Sequence, residues 1–156
     1  MEYEEILNIL GPCGSNCRKC VFNSNGNIKK HSEELKELLG LFDLYAERFS
    51  GLIDPVFKKY PDFKEFLEFL TKVDCGGCRK QKCDIYPDCG VVDCHKEKGV
   101  DFCFQCNEFP CAKTNFDSDL KRRWILMNKR MKVIGVEAYC EESMKYPRYR
   151  PDVGPE

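Results

Sequence analysis

Apolar residues recur at helical spacing on both sides of a middle segment that lacks this pattern. One helix is predicted from Ser32, a typical N-cap residue, to about residue 49. A later helix is predicted to begin at Pro61, after Asp54-Pro55. The apolar face of the earlier helix consists of Leu35, Leu38, Leu39, Phe42, Tyr45 and Phe49. The face of the later one consists of Phe63, Phe66, Leu67, Leu70 and Val73. Both faces are expected to pack into a core.

The C-terminal part shows the same periodicity. One face of a helix that follows residues 117–119 and ends at Gly135 carries Leu120, Trp124, Met127, Met131 and Ile134. A short helix over residues 136–143 follows. A further short helix is predicted over residues 2–10.

The middle segment, residues 74–111, has cysteine, glycine and charge in place of periodic apolar residues. Only residues 91–98 are predicted to be helical there, with Gly99 as the stop. Metal is expected to replace the hydrophobic core in this segment. The prediction is a small, mainly α protein with little or no sheet. One domain over residues 1–150 would comprise a helical part (1–73), a metal-binding part (74–111) and C-terminal helices (117–143), and residues 144–156 would be a loose tail.

Eleven of the twelve cysteines lie in two dense runs, and three Cys-x2-Cys pairs occur among them. Such a pair lets two thiolates converge on one ion, and thiolates are natural ligands of zinc and of iron–sulfur clusters. The predicted metal ligands are Cys13, Cys17, Cys20, Cys75, Cys78, Cys83, Cys89, Cys94, Cys103, Cys106 and Cys111. Two or three zinc ions are expected.

The pairing of these cysteines stays open at the level of sequence. The pairs 75/78 and 103/106 are separated by 24 residues, which suits one four-cysteine zinc site. The remaining cysteines of the second run would form a second site or supply the fourth ligand for the loop of Cys13, Cys17 and Cys20. They are Cys83, Cys89, Cys94 and Cys111. The alternative is an iron–sulfur cluster on Cys13, Cys17 and Cys20. That loop is similar to the cluster loop of radical S-adenosylmethionine enzymes, but the chain has no β/α alternation for their barrel.

Composition indicates the cellular compartment of the protein but not its biochemical function. The formal net charge is −1, no apolar stretch approaches the length of a membrane span, and the acidic N-terminus does not resemble a signal peptide. A reducing cytoplasm is therefore expected, where dense cysteines indicate metal rather than disulfides. The chain has only two histidines and no isolated cysteine with a nearby base, so no catalytic residue is predicted.

Two histidines and one cysteine lie outside the predicted set of metal ligands. His95 follows Cys94 and is either a zinc ligand or a surface histidine on a short helix. His31 lies among lysines and is expected to be solvated. Cys140 occupies an apolar position far from the other cysteines, so we interpret it as a small buried hydrophobic residue.

The cysteine pattern resembles the domain of unknown function family 3795. The resemblance rests on Cys13-Gly-x2-Cys17-x2-Cys20, on Cys75-x-Gly-Cys78-Arg, and on the run from Cys89 to the element Glu108-Phe-Pro-Cys111. It extends to Gly135-Val-Glu-Ala-Tyr139 and thus spans roughly residues 11–143. It implies a small prokaryotic, metal-binding protein that uses the shared cysteines, with Cys83 fitting less well and His95 and Cys140 outside the pattern.

These observations favour a non-enzymatic interaction module with structural zinc. Residues 112–150 carry 10 basic and 5 acidic groups, and many of the basic ones lie on the helix over residues 120–132. This helix is the expected contact surface, either for an acidic protein partner or for weak nucleic-acid contact. No membrane partner is expected. The rival hypothesis is an iron–sulfur redox protein.

Overall fold

The helical periodicity is borne out by the computed structural model, which describes residues 1–83 and 86–150. Its α-helices are α1 (Tyr3–Ile9), α2 (Asn27–Leu39), α3 (Asp43–Leu52), α4 (Tyr60–Lys72), α5 (Val91–Glu97), α6 (Ser118–Ile134) and α7 (Val136–Lys145). Short 3-10 turns span Cys17–Lys19, Pro55–Lys59 and Cys103–Gln105. The described residues form no β-strand. The prediction of a small, mainly α fold is confirmed.

The chain divides into two compact units. The first, which we call the cysteine unit, comprises Met1–Cys20 and Cys75–Glu156, and the second, the inserted unit, comprises Val21–Asp74. The N-terminal twenty residues therefore group with the cysteine-rich segment rather than with the helices that follow them. A single domain over residues 1–150 stays a prediction.

The inserted unit corrects two details of the sequence reading. Helix α2 begins at Asn27, five residues before the predicted N-cap Ser32, and the Ser32 hydroxyl donates to the carbonyl of Ile28 (2.8 Å) inside the helix. The single long helix to residue 49 is interrupted because Gly40 adopts a positive φ of 49°. A serine followed by acids satisfies cap chemistry, but here its hydroxyl satisfies a carbonyl one turn back.

The apolar face of the inserted unit is only partly buried. Leu67 and Ala46 are buried, and the ring of Phe42 packs on Tyr60 with centroids 5.0 Å apart. Leu38, however, is 84 % exposed and Phe66 is 59 % exposed. The expectation that the whole apolar stripe enters a core is therefore wrong for these residues.

Helices α1, α6 and α7 build the core of the cysteine unit. The buried cluster consists of Ile6, Ile9, Leu10, Phe102, Met127, Met131, Tyr139 and Cys140. Cys140 has no exposed surface, and the structure supports its interpretation as a buried hydrophobic residue. Trp124 on α6 is fully buried as well. The helical core thus supplies a fixed platform on which the cysteine loops lie.

The two glycine stops in this unit lie where the sequence predicts them, whereas α6 begins at Ser118, within residues 117–119 rather than after them. The Asp117 carboxylate accepts from the backbone N–H of Leu120 (2.9 Å) and caps α6. Gly135 ends α6 with a φ of 85°, and Gly99 follows α5 with a φ of 61°. These are positions where a positive φ is needed and glycine adopts it without strain.

Residues 146–150, predicted to belong to a loose tail, are held by hydrogen bonds. Arg123 on α6 donates to the carbonyls of Arg148 (3.1 Å) and Arg150 (2.9 Å). Arg148 in turn donates to the carbonyl of Asn16 (2.7 Å). The rest of the predicted tail, residues 151–156, lies outside the described residues, as do residues 84 and 85 of the cysteine-rich segment.

None of the helices within residues 1–83 and 86–150 combines the length and the apolarity that a membrane span needs.

A buried amide joins two cysteine loops to helix α6. Asn128 has no exposed surface, and its Nδ2 donates to the carbonyls of Cys13 (2.9 Å) and Trp124 (2.9 Å). Its Oδ1 accepts from the backbone N–H of Phe104 (3.0 Å). The side chain thus binds the loop that begins at Cys13 and the loop that contains Cys103 at the same point of the helix.

We predict that Asn128→Ala lowers the free energy of unfolding of the cysteine unit by about 3 kcal/mol, because buried backbone groups lose their partners. Urea denaturation followed by the fluorescence of Trp124 measures the change. Asn8→Ala is the control: Asn8 is exposed and donates only to the Glu4 carbonyl, so about 0.5 kcal/mol or less is expected. Equal losses in the two variants would show that Asn128 has no joining role.

Candidate metal centre

Four cysteines from two segments form a first thiol cluster: Cys13, Cys17, Cys78 and Cys83. Hydrogen bonding from the Cys78 thiol lowers the pKa of Cys17 to about 6. The pKa of Cys78 is raised by its interactions with Cys17 and then Cys83, and Cys13 adds a smaller contribution of the same sign. Burial raises the pKa of Cys13, and the neighbouring Cys17 adds to this. The four sulfurs therefore interact with one another across about 70 residues of sequence.

The tight turn at the start of this cluster depends on two glycines. A Cβ on Gly11 would lie 3.2 Å from the sulfur of Cys17 and 3.7 Å from that of Cys13, so both thiols lean against this glycine. Gly14 has a φ of 87°, and a Cβ there would lie 2.7 Å from Cε of Met131. The glycine of the Cys13-Gly motif therefore lets the loop lie directly on α6.

Arg79 positions the Cys78 loop. Its Nε donates to the carbonyls of Leu7 (3.1 Å) and Leu10 (3.2 Å), and its Nη2 donates to that of Asp101 (2.7 Å). The guanidinium also lies 4.9 Å from the centroid of the Phe102 ring. One side chain thereby joins the Cys78 loop, the end of α1 and the approach to Cys103.

Positive charge lies beside the first thiol cluster. Burial lowers the pKa of Arg148, but the nearby cysteines, Cys20 first and then Cys17, outweigh it and raise the pKa above its ordinary value. The hydroxyl of Tyr149 lies 3.8 Å from the sulfur of Cys20 and donates to it. Arg148 therefore favours the thiolate form of the cysteines near it.

A second thiol cluster is formed by Cys94, Cys103, Cys106 and Cys111. Burial raises the pKa of Cys94, and the neighbouring Cys111 and Cys106 add to the shift. Burial also raises the pKa of Cys103 to about 12, with smaller contributions from Cys13, Cys111 and Cys94, so this thiol also lies near the first cluster. The four cysteines surround a small cavity of about 30 Å³.

Two residues that line the cavity of the second thiol cluster, Trp124 and His95, each carry a buried nitrogen atom. Nε1 of Trp124 makes no hydrogen bond of normal geometry within the described residues, although it lies near enough to Cys103 to lower the pKa of that thiol. Nδ1 of His95 lies 3.1 Å from the carbonyl of Val100, and Nε2 of the same ring is buried without a partner in the described part of the chain. If Nδ1 carries the proton for that bond, Nε2 presents a lone pair. An indole N–H can donate a hydrogen bond to a thiolate, and an imidazole lone pair can bind a metal ion.

The loop of the second thiol cluster closes on a glycine and a carboxylate. A Cβ on Gly90 would lie 2.0 Å from the backbone oxygen of Lys113, so only glycine permits this approach. Glu108 accepts from Lys98 and from Lys113 (2.9 Å), and these two hydrogen bonds lower the pKa of its carboxyl to about 2. The Phe109–Pro110 peptide bond next to it is cis.

The structure groups the cysteines differently from the predicted single site on the pairs 75/78 and 103/106. Cys78 belongs to the first thiol cluster, whereas Cys103 and Cys106 belong to the second. Burial raises the pKa of Cys89, with contributions from Cys13 and Cys83, so it lies near the first cluster. Cys75 is buried. Cys20 accepts a hydrogen bond from the Tyr149 hydroxyl.

The sulfurs neighbour one another without forming a coordination sphere. Within residues 1–83 and 86–150, no three His, Cys, Asp or Glu side chains are arranged so that they could hold a metal ion as they stand. The chemistry of the donors nevertheless fits a thiophilic metal, since each cluster offers four thiols. The ligand role of the eleven cysteines stays a prediction.

Sequence reasoning missed the residues that assemble the loops. Asn128 sits in the middle of a basic helix, and Arg79 follows a cysteine pair, so neither position suggests a partner about 70 to 115 residues away. A signal was present in one case only: a buried polar residue on the apolar side of α6, next to Trp124 and Met127 in the helical projection, requires a partner.

Comparison with known proteins gives one family. The family described as "Protein of unknown function (DUF3795)" has a model that matches residues 9–116 of the 156. The match includes both thiol clusters. Neither the curated proteins nor the solved structures contain a significant match.

We predict that Gly90→Ala lowers the free energy of unfolding of the cysteine unit by at least about 2 kcal/mol, because the new methyl group collides with backbone rather than with a flexible side chain. The φ of Gly90 is −72°, so the backbone conformation itself suits alanine and only the collision is tested. Gly51→Ala is the matched control, since nothing lies within 4 Å of a Cβ there. Urea denaturation compares the two, and a Gly90→Ala protein as stable as the control contradicts the close approach.

Proposed function

The chain belongs to the DUF3795 family, and we propose that it is a non-enzymatic interaction module whose cysteine unit is stabilised by structural zinc. The observation that carries the proposal is the grouping of eight cysteines into two sets of four, the first drawn from residues 13–17 and 78–83 and the second from residues 94–111. Four thiolates form the usual closed set of a structural zinc site. Zinc would be held by the first thiol cluster and by the second, two ions in all.

The loops that carry the thiols support a structural role. Residues 74–111 contain one short α-helix, α5, and one 3-10 turn within their described part, so little regular backbone hydrogen bonding stabilises them. Zinc, when bound, supplies cross-links that replace a hydrophobic core. Binding has to draw the thiols of each cluster closer together than they lie in this structure, since no three of them hold a metal as they stand. Rotation about the Cα–Cβ bond moves a cysteine sulfur without moving the backbone.

Neighbouring side chains in both clusters favour thiolates over neutral thiols. Arg148 lies beside the first cluster, and the N–H of Trp124 lies near enough to Cys103 in the second to lower the pKa of that thiol. His95 is an additional candidate ligand in the second cluster, because its Nε2 is buried and unpaired within the described residues. When protein ligands fill all four coordination positions of a zinc ion, no position is left for a substrate, and this favours a non-enzymatic role. The proposed setting is a reducing compartment, where the thiols stay available as ligands.

The proposed contact surface is the exposed basic side of α6, and the proposed partner is an acidic protein. Two of the basic side chains of α6 are engaged within the chain: Arg123 donates to residues 146–150, and Arg130 forms an ion pair with Glu142 (2.9 Å). The exposed ones are Arg122, Lys129 and Lys132. Weak contact with the nucleic-acid backbone uses the same charges and depends strongly on salt.

The second candidate function is iron–sulfur redox chemistry at Cys13, Cys17 and Cys20. Its support is the close approach of the Cys13 and Cys17 sulfurs to Gly11. Against it, those two thiols interact with Cys78 and Cys83, while Cys20 receives a hydrogen bond from Tyr149. We therefore prefer zinc.

We expect the anaerobically purified protein to be colourless. Thiolate-bound zinc has no visible transition, whereas an iron–sulfur cluster absorbs broadly in the visible range. The measurement is an absorption spectrum combined with metal analysis of the same sample. A brown protein with stoichiometric iron and sulfide would replace zinc by the iron–sulfur alternative.

We expect Cys78→Ser to lose one equivalent of zinc from the first cluster and Cys106→Ser to lose one from the second. Metal analysis of the purified proteins gives the count. Cys140→Ala is the matched control: its thiol is buried in the apolar core, so zinc stays complete and at most about 1–2 kcal/mol of stability is lost. Full zinc content in both serine variants would refute the two-cluster proposal, and zinc loss in Cys140→Ala would extend it to a further site.

A further inference from the structure

A cavity of about 460 Å³ lies in the cysteine unit between the Cys13 loop, α6, α7 and residues 146–150. This volume falls within the range of small-molecule sites. Its wall combines three arginines with tyrosine side chains: Arg123, Arg148, Arg150, Tyr139, Tyr146 and Tyr149. The metal proposal uses Arg148 and Tyr149 of this wall, but neither the cavity itself nor Arg150.

The arginines give the cavity an excess of positive charge. Arg123, Arg148 and Arg150 donate to backbone carbonyls or stack on rings, and among the described residues none of them forms an ion pair with a carboxylate. Asp117 and Asp119 are the acidic residues in the wall, and the Asp117 carboxylate caps α6. Guanidinium groups keep several N–H donors after one such bond, and their geometry matches the oxygens of a phosphate.

The aromatic residues give the cavity a planar surface next to these charges. The guanidinium carbon of Arg150 lies 4.4 Å from the centroid of the Tyr146 ring, and Tyr146 is 45 % exposed. The hydroxyl of Tyr139 is occupied by its bond to the Gly14 carbonyl (3.0 Å), so this residue acts as a wall. Exposed tyrosine faces beside arginine are suited to stacking a planar ring.

We propose that this cavity binds a nucleotide, with the phosphate at Arg150 and Arg148 and the base on the ring of Tyr146. The volume accommodates one mononucleotide, and the cations and rings lie at neighbouring positions in the same wall. The site is distinct from the exposed basic side of α6, because Arg122 is on that side and does not line the cavity.

The test is isothermal titration calorimetry of the full, zinc-loaded chain with AMP. Inorganic phosphate and adenosine are titrated separately, because each represents one part of AMP. Saturable binding of one AMP per chain is expected. Arg150→Gln should weaken AMP and phosphate about tenfold, since a charge-assisted hydrogen bond is lost. Tyr146→Leu should weaken AMP and adenosine but leave phosphate unchanged. Asp119→Asn should strengthen AMP about threefold, because it removes a negative charge from the wall.

Arg122→Gln is the matched control, with the same charge change as Arg150→Gln but on α6 and outside the cavity; its AMP affinity should change less than about twofold. Circular dichroism and zinc content confirm that each variant is folded, and they separate this test from that of the zinc proposal. No saturable AMP binding, or equal losses in Arg150→Gln and Arg122→Gln, would overturn the cavity assignment. Tighter binding of a single-stranded oligonucleotide that Arg122→Gln weakens most would overturn it in favour of the basic side of α6.

Discussion

The backbone of the cysteine loops has to find hydrogen-bond partners outside regular secondary structure, and the rest of the cysteine unit depends on how it does so. A buried carbonyl without a partner costs free energy comparable to a lost hydrogen bond. In this protein the partners are long side chains from the helical core: Asn128 bonds the Cys13 carbonyl, Tyr139 bonds that of Gly14, and Arg148 bonds that of Asn16. The thiols are grouped because the backbone that carries them is held in this way.

Local chemistry explains which parts of the fold could be predicted. Asp117 and Gly135 act on atoms within one turn of themselves, so the limits of α6 can be read from sequence. Ser32 has the same chemistry as an N-cap but bonds a carbonyl one turn back, and sequence does not separate these two outcomes. The exposed Leu38 shows a similar limit, since periodicity identifies a face without identifying what covers it.

The candidate site was predictable in its chemistry but not in its grouping. Spacing identifies cysteines that lie in one turn, such as Cys103 and Cys106. It carries no information on whether Cys78 meets Cys103 or Cys17, because that depends on Arg79 and Asn128, which act over long sequence separations. The positions that decide the grouping are therefore ordinary residues, an arginine after a cysteine and an asparagine in a basic helix.

The division of the chain has a consequence for its synthesis. The Cys13 loop is made first, but the groups that hold it, Asn128, Tyr139 and Arg148, follow more than 110 residues later. At about 5–20 residues per second, its thiols emerge from the ribosome roughly 10 s before the loop can close. The inserted unit, Val21–Asp74, has its own internal packing and is completed within that interval. During this time the eight cysteines from Cys75 to Cys111 join the three of this loop, so eleven thiols precede the residues that hold it, and each is open to oxidation until the loops close or bind metal.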